Sequence, residues 1–88
     1  MDKAEARQIL RGVLEEFRAR PYSELTKLID DPEQREAIGA SRATYQVEIE
    51  TLWDSKRGGD VRVMAAIDDG GWRAFAPLTD SFIVPPDA

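Results

Sequence analysis

The chain has no cysteine, no histidine and no asparagine in its 88 residues, and each absence removes a class of chemistry. Without cysteine there is no disulfide and no thiolate–metal site to reinforce the small core that a chain of this length can bury. Without histidine the side chain that most readily shuttles protons near neutral pH is missing. Serine–histidine and cysteine–histidine nucleophile pairs are excluded, and so are the usual zinc, copper, haem and iron–sulfur ligands. Without asparagine there is no N-glycosylation site. The opening residues Met1 to Glu5 lead into no apolar run of the signal-peptide kind, and no apolar stretch approaches membrane-spanning length. A cytoplasmic protein that does not engage a membrane is expected. Single-sign charge runs are missing too. Twelve basic and 17 acidic residues give a formal net charge of −5, which favours solubility and disfavours nucleic acid as a partner.

What is present divides into a helical part, about residues 2–38, and a sheet part, about 43–84, in one domain spanning 1–88. Ala6, Ile9, Leu10, Val13, Leu14 and Phe17 recur at steps of three and four, the stripe of a core-facing helix from about Lys3 to Ala19. Asp2 is placed to cap it, Glu5 stands at the capping-box position, and Pro21 stops it. Leu25, Leu28 and Ile29 keep helical spacing, so 22–29 is read as a short second helix capped by Ser23, against an alternative strand. Residues 30–42 read as the longest connection, with one further helical turn before Gly39.

Strict alternation then sets in. Tyr45, Val47, Ile49 and Trp53 share one face of a strand over 43–54, as do Val61, Val63, Ala65 and Ile67 over 61–68. Trp72, Ala74, Ala76 and Leu78 continue the pattern over 72–78. A three-residue loop at Arg57–Gly59 would set Trp53 opposite Val63, Leu52 opposite Met64 and Asp54 opposite Arg62. An Asp69–Gly70 turn would set Ile67 opposite Trp72 and Met64 opposite Phe75, and a shifted register would pair Asp68 with Arg73 instead. Phe82–Val84 completes the sheet as a short edge strand ended by Pro85 and Pro86. The expected fold is therefore α+β: an N-terminal helix and a short second helix packed on an antiparallel meander of three to four strands.

The set Tyr45-Gln46-Val47-Glu48-Ile49-Glu50, Ile67-Asp68-Asp69-Gly70-Gly71-Trp72-Arg73-Ala74-Phe75, Pro77-Leu78 and Phe82-Ile83 resembles a family of small bacterial domains with no assigned activity. The resemblance spans 43–84, about half the chain, and implies a fold and a bacterial origin rather than a chemistry. Such sequences continue through Pro-Asp-Gly into another strand, whereas this one reads Pro86-Asp87-Ala88.

No residue pattern points to catalysis, a cofactor or a metal. Asp68-Asp69-Gly70-Gly71 offers two carboxylates, but a hairpin turn accounts for all four residues and a calcium site would need six or more oxygens. Asp30, Asp31, Glu33 and Glu36 lack the EF-hand spacing. Glu48 and Glu50, about 7 Å apart on one strand face, fit the solvent side of a covered sheet better than an acid–base pair. An enzyme would have to work with Asp, Glu, Arg, Lys, Tyr or Ser alone. Two binding surfaces stand out instead. Leu52, Met64 and Phe75 form an apolar row on the outer face, rimmed by Arg62 and Arg73 together with the two glutamates, the layout of an interface with a second copy or another protein. A small-ligand pocket among Tyr45, Trp53, Trp72 and Phe17, between the helix and a curved sheet, is the alternative.

Overall fold

A computed structural model describes residues 1–71 and 77–86. Trp72 to Ala76, and with them the expected strand over 72–78 up to its last two residues, lie outside the described residues.

Helix α1 runs Lys3–Arg18 and buries Ala6, Leu10, Val13, Leu14 and Phe17, with Ile9 packed at the margin. The Asp2 carboxylate accepts from the Glu5 amide at 3.1 Å, so the expected cap forms. The reciprocal half of the capping box does not form, because the Glu5 carboxylate is engaged elsewhere. Helix α2 is shorter than the spacing suggested, Tyr22–Thr26, and Pro21 rather than Ser23 is its N-cap. Its Leu25 is fully buried, and the Tyr22 hydroxyl donates to the Gly59 carbonyl at 2.9 Å. After it successive tight turns, with the Leu28 amide on the Leu25 carbonyl and the Asp31 amide on the Leu28 carbonyl, bring Ile29 into an isolated parallel bridge with Thr51, and Asp30 takes φ 65°.

Four strands follow, β1 (Glu33–Ile38), β2 (Thr44–Trp53), β3 (Val61–Asp68) and β4 (Leu78–Val84), in sheet order β1-β2-β3-β4, every neighbour antiparallel. The inner face carries Tyr45, Val47, Ile49, Thr51, Val61, Val63, Ala65, Ile67 and Phe82, all buried under the helices. Burial alternates along β2 and β3 as the alternating residues require. Trp53, expected in that core, is only half-buried at its margin.

Three expectations are corrected. β1 occupies residues read as a connection with a helical turn. Its burial alternates but its hydrophobicity does not, with Glu33, Arg35 and Ala37 inward and Gln34, Glu36 and Ile38 outward, and six pairings to β2 hold it extended against the helix preference of its residues. The β2–β3 register is displaced by two residues: Trp53 faces Val61, Leu52 faces Arg62 and Glu50 faces Met64. The Asp54 amide reaches the Asp60 carbonyl at 2.8 Å and Gly58 takes φ 83°, so the loop is five residues, Ser55–Gly59, rather than three. A two-residue shift keeps every side chain on its face, so alternation could not detect it. Finally, Ile67 pairs with Leu78 and Val63 with Phe82, so neither register proposed for the Asp69–Gly70 turn describes β3.

Candidate interaction face

Both helices lie on the inner side of the sheet; α1 packs on β3 and β4, and α2 on β2 and β3. No described element lies across the outer side. Alternation places Gln34, Glu36 and Ile38 of β1 there, with Thr44 through Leu52 at even positions of β2, Arg62, Met64, Ala66 and Asp68 of β3, and Thr79, Ser81 and Ile83 of β4.

The face has two halves. One end is acidic: Glu36 lies beside Gln46 and Gln46 beside Asp68, and the next row is Gln34, Glu48, Ala66, Thr79. The other end is apolar around one cation. Leu52 and Ile83 flank Arg62 from the two adjacent strands, and both stand on a diagonal to Met64, roughly 7 Å away. Met64 is 37% exposed and Ile83 43%. Arg62 is held in place: its Nε donates to Asp54 Oδ1 at 2.8 Å and its Nη1 to Ser81 Oγ at 2.9 Å. The guanidinium is thus fixed between two apolar neighbours, and the Leu52–Arg62–Ile83 row is ordered without any partner.

The expected row differs from this. Leu52 does not face Met64, Phe75 and Arg73 lie outside the described residues, and Ile83 completes the apolar corner. The signal for Ile83 was in the sequence: if Phe82 and Val84 point inward along a strand, Ile83 must point outward. Glu48 and Glu50 are exposed on the same face and do not converge on a buried site.

The expected pocket residues are separated. Tyr45 and Trp53 stand near opposite ends of β2, about 27 Å apart along the strand. Tyr45 is buried and its hydroxyl donates to Glu5 Oε1 at 2.8 Å. Phe17 is buried at the far end of α1, its ring bracketed by the guanidiniums of Arg20 at 4.2 Å and Arg35 at 5.7 Å. Arg35 in turn binds Glu16 at 2.7 Å and pairs with Glu33, which links β1 to the end of α1. The Glu16 bond and the two glutamates' charge raise the Arg35 pKa against its burial, so the cation persists at any ordinary pH. Trp72 lies outside the described residues.

Asp68 and Asp69 form a turn. Asp68 Oδ1 accepts from the Gly70 amide at 2.7 Å and Asp69 Oδ1 from the Gly71 amide at 3.1 Å, while Gly70 sits at φ 81°. The Gly71 amide, helped by the N-terminal ammonium 3.5 Å from Asp69 Oδ2, holds the Asp69 carboxyl below its usual range. Among the described residues no three acidic side chains converge as a metal site would require, and no helix is long and apolar enough to cross a membrane.

Comparison with protein-family models, with curated proteins and with solved structures finds no match to this chain.

Proposed function

We propose that this chain is a non-enzymatic interaction module that self-associates weakly through the outer face of its sheet. The observation that carries this reading is the Leu52–Met64–Ile83 corner, in which Met64 and Ile83 are exposed and Leu52 is half-buried, around an Arg62 that is already fixed by Asp54 and Ser81. An apolar centre beside charged groups is the layout of an interface, and a preorganised guanidinium costs little further ordering on contact. The resemblance of 43–84 to small bacterial domains fits such a role, since it implies a fold without a chemistry.

Size decides the strength. Four strands about 4.8 Å apart and some seven residues long give a plane of roughly 450 Å². A stable specific interface takes about 800 Å² from each partner. A dimer in the micromolar to millimolar range is therefore expected. Charge decides the arrangement. A two-fold axis across the strands near Met64 brings the two apolar corners together and sends the acidic Glu36–Asp68 ends in opposite directions, so repulsion is least.

Sedimentation equilibrium from about 10 μM to about 1 mM should show the average mass rising towards that of two chains, the range such an area implies. Ile83→Glu and Met64→Glu should each return the mass to one chain while the far-UV circular dichroism stays that of the parent. A parent that remains monomeric through that range refutes the proposal. So does association that both substitutions leave unchanged.

A further inference from the structure

Because α1 lies over β3 and β4, the inner face above β2 is not fully closed on the β1 side. A half-open cleft of ≈ 320 Å³ remains there, between the end of α1, the segment after α2 and the start of β1. Phe17 and Ile49, otherwise buried in the core, line it together with Leu28 and Pro32. Asp31 stands at the rim, and the remaining lining residues bring no lysine or arginine.

Thr51 is the feature that packing does not explain. Among the described residues it is the one in the buried set classed as polar, only 4% exposed, and it too lines the cleft. Its hydroxyl makes no hydrogen bond among the described residues. Yet no sealed side-chain oxygen or nitrogen is left unpartnered there. The Thr51 oxygen is therefore open to the cleft. A buried hydroxyl without a protein partner is costly unless water or a ligand completes it, and valine would fill the same space.

We infer that this cleft binds a small amphipathic amine. The apolar body lies against Phe17, Leu28, Pro32 and Ile49, the ammonium group faces the Asp31 carboxylate, and Thr51 supplies a hydrogen bond at the base. The volume sits at the small end of ligand pockets, which suits one ring or a short alkyl chain. The charge selects the class. Two carboxylates line the site, Asp31 and Glu33, and Glu33 is already occupied by Arg35. Arg20 and Arg35, the cations that stand over Phe17, are already paired with Glu16 and Glu33, whereas Asp31 makes no ion pair among the described residues, so the charge left over beside the cleft is that of the Asp31 carboxylate, which favours a cation over an anion. This site lies on the opposite side of the sheet from the proposed dimer contact and does not depend on it.

Phenethylamine is the probe, with 2-phenylethanol and 3-phenylpropionate as its neutral and anionic counterparts. Titration to about 10 mM, followed by amide chemical shifts, covers the millimolar affinity expected of so small a ligand. The amine should shift the amides of Leu28, Asp31, Gln34 and Thr51, the alcohol should bind more weakly, and the carboxylate should not bind. Asp31→Asn, at an exposed position that leaves the core intact, should weaken the amine about threefold and the alcohol not at all. Thr51→Val should weaken both about fivefold, with a melting temperature no lower than the parent's. The inference is overturned if the amine shifts none of these amides. It is equally overturned if the alcohol binds as well as the amine, or if neither substitution changes the affinity. Should Thr51→Val lower the melting temperature, the hydroxyl is structural and the inference fails on that ground.

Discussion

At the scale of single residues, Glu5 does more than begin a helix. Its Oε1 accepts from Ser41 Oγ at 2.6 Å and from the Tyr45 hydroxyl at 2.8 Å, and its Oε2 from the Ser41 amide at 3.0 Å. One carboxylate thereby ties α1 to the β1–β2 turn and to the floor of the core. Gly39 leaves room beside it: a Cβ at that position would overlap the Glu5 carboxylate and push that side chain from its hydrogen bonds. Ser41, through its side chain and then its backbone amide, and Tyr45 hold the Glu5 carboxyl below its ordinary value of 4.5, against a smaller opposing effect of burial. Burial first, and the Glu5 bond and charge after it, push the Tyr45 phenol up to about 12. The signs follow by linkage. A phenol with a raised folded pKa binds more protons in the folded state between about 10 and 12, so stability falls as pH rises through that window. A carboxyl with a depressed folded pKa does the converse, and its contribution is lost as pH falls below 4.5. Urea midpoints measured across both windows should show a decline at each end. Tyr45→Phe should remove much of the alkaline decline, and Glu5→Gln should flatten part of the acid one. An alkaline limb that persists unchanged in Tyr45→Phe would mean that another group is responsible.

At the scale of elements, α1 was legible because six apolar residues at helical spacing make one stripe, and five of those six are fully buried. β1 was not legible. Its residues are good helix formers, its one large apolar side chain, Ile38, faces solvent at 69% exposure, and its inward positions carry Glu33 and Arg35. A strand of that composition exists because β2 offers it an unpaired edge, and a partner edge leaves no mark in the sequence of the strand that uses it. The charges on β1 have a further use, since an edge strand of charged residues resists pairing with other chains. The second helix shows the middle case. Leu25 was placed correctly from its spacing with Leu28 and Ile29, but five residues are too few to hold a helix by themselves. Its stability comes from Leu25 in the core and Tyr22 on Gly59. Leu25→Ala should therefore cost about 3 kcal/mol, read from the shift in denaturation midpoint, as deletion of a buried leucine side chain does. A loss below about 1 kcal/mol would show that α2 is not part of the cooperative core.

At the scale of the whole molecule, the fold is a two-layer α+β domain in which, among the described residues, the helices cover one face of the sheet and no element covers the other. Native-state hydrogen exchange should be slowest in β2 and β3, at Val47, Ile49, Val63 and Ala65, because these strands are paired on both sides beneath the helices. Amides of β1, at the edge, should exchange faster. Equal protection of β1 and β3 would indicate that the β1 edge is covered in solution, and the dimer would then have to be sought at that edge. What the sequence alone determined was which residues face inward, since a period of two or 3.6 is set by backbone geometry and survives any register. The core, the helix-before-sheet order and the outward position of Leu52 and Met64 all follow from it. Register, edges and neighbours were decided only by tertiary structure. A two-residue slip costs alternation nothing, so the register shows only in the folded sheet, where Trp53 pairs with Val61 and the Asp54 amide donates to the Asp60 carbonyl. For the same reason the apolar corner formed with Ile83, and the cleft formed at Phe17, Leu28 and Thr51, residues far apart in the chain that meet because α1 settles over β3 and β4 and leaves β2 partly uncovered.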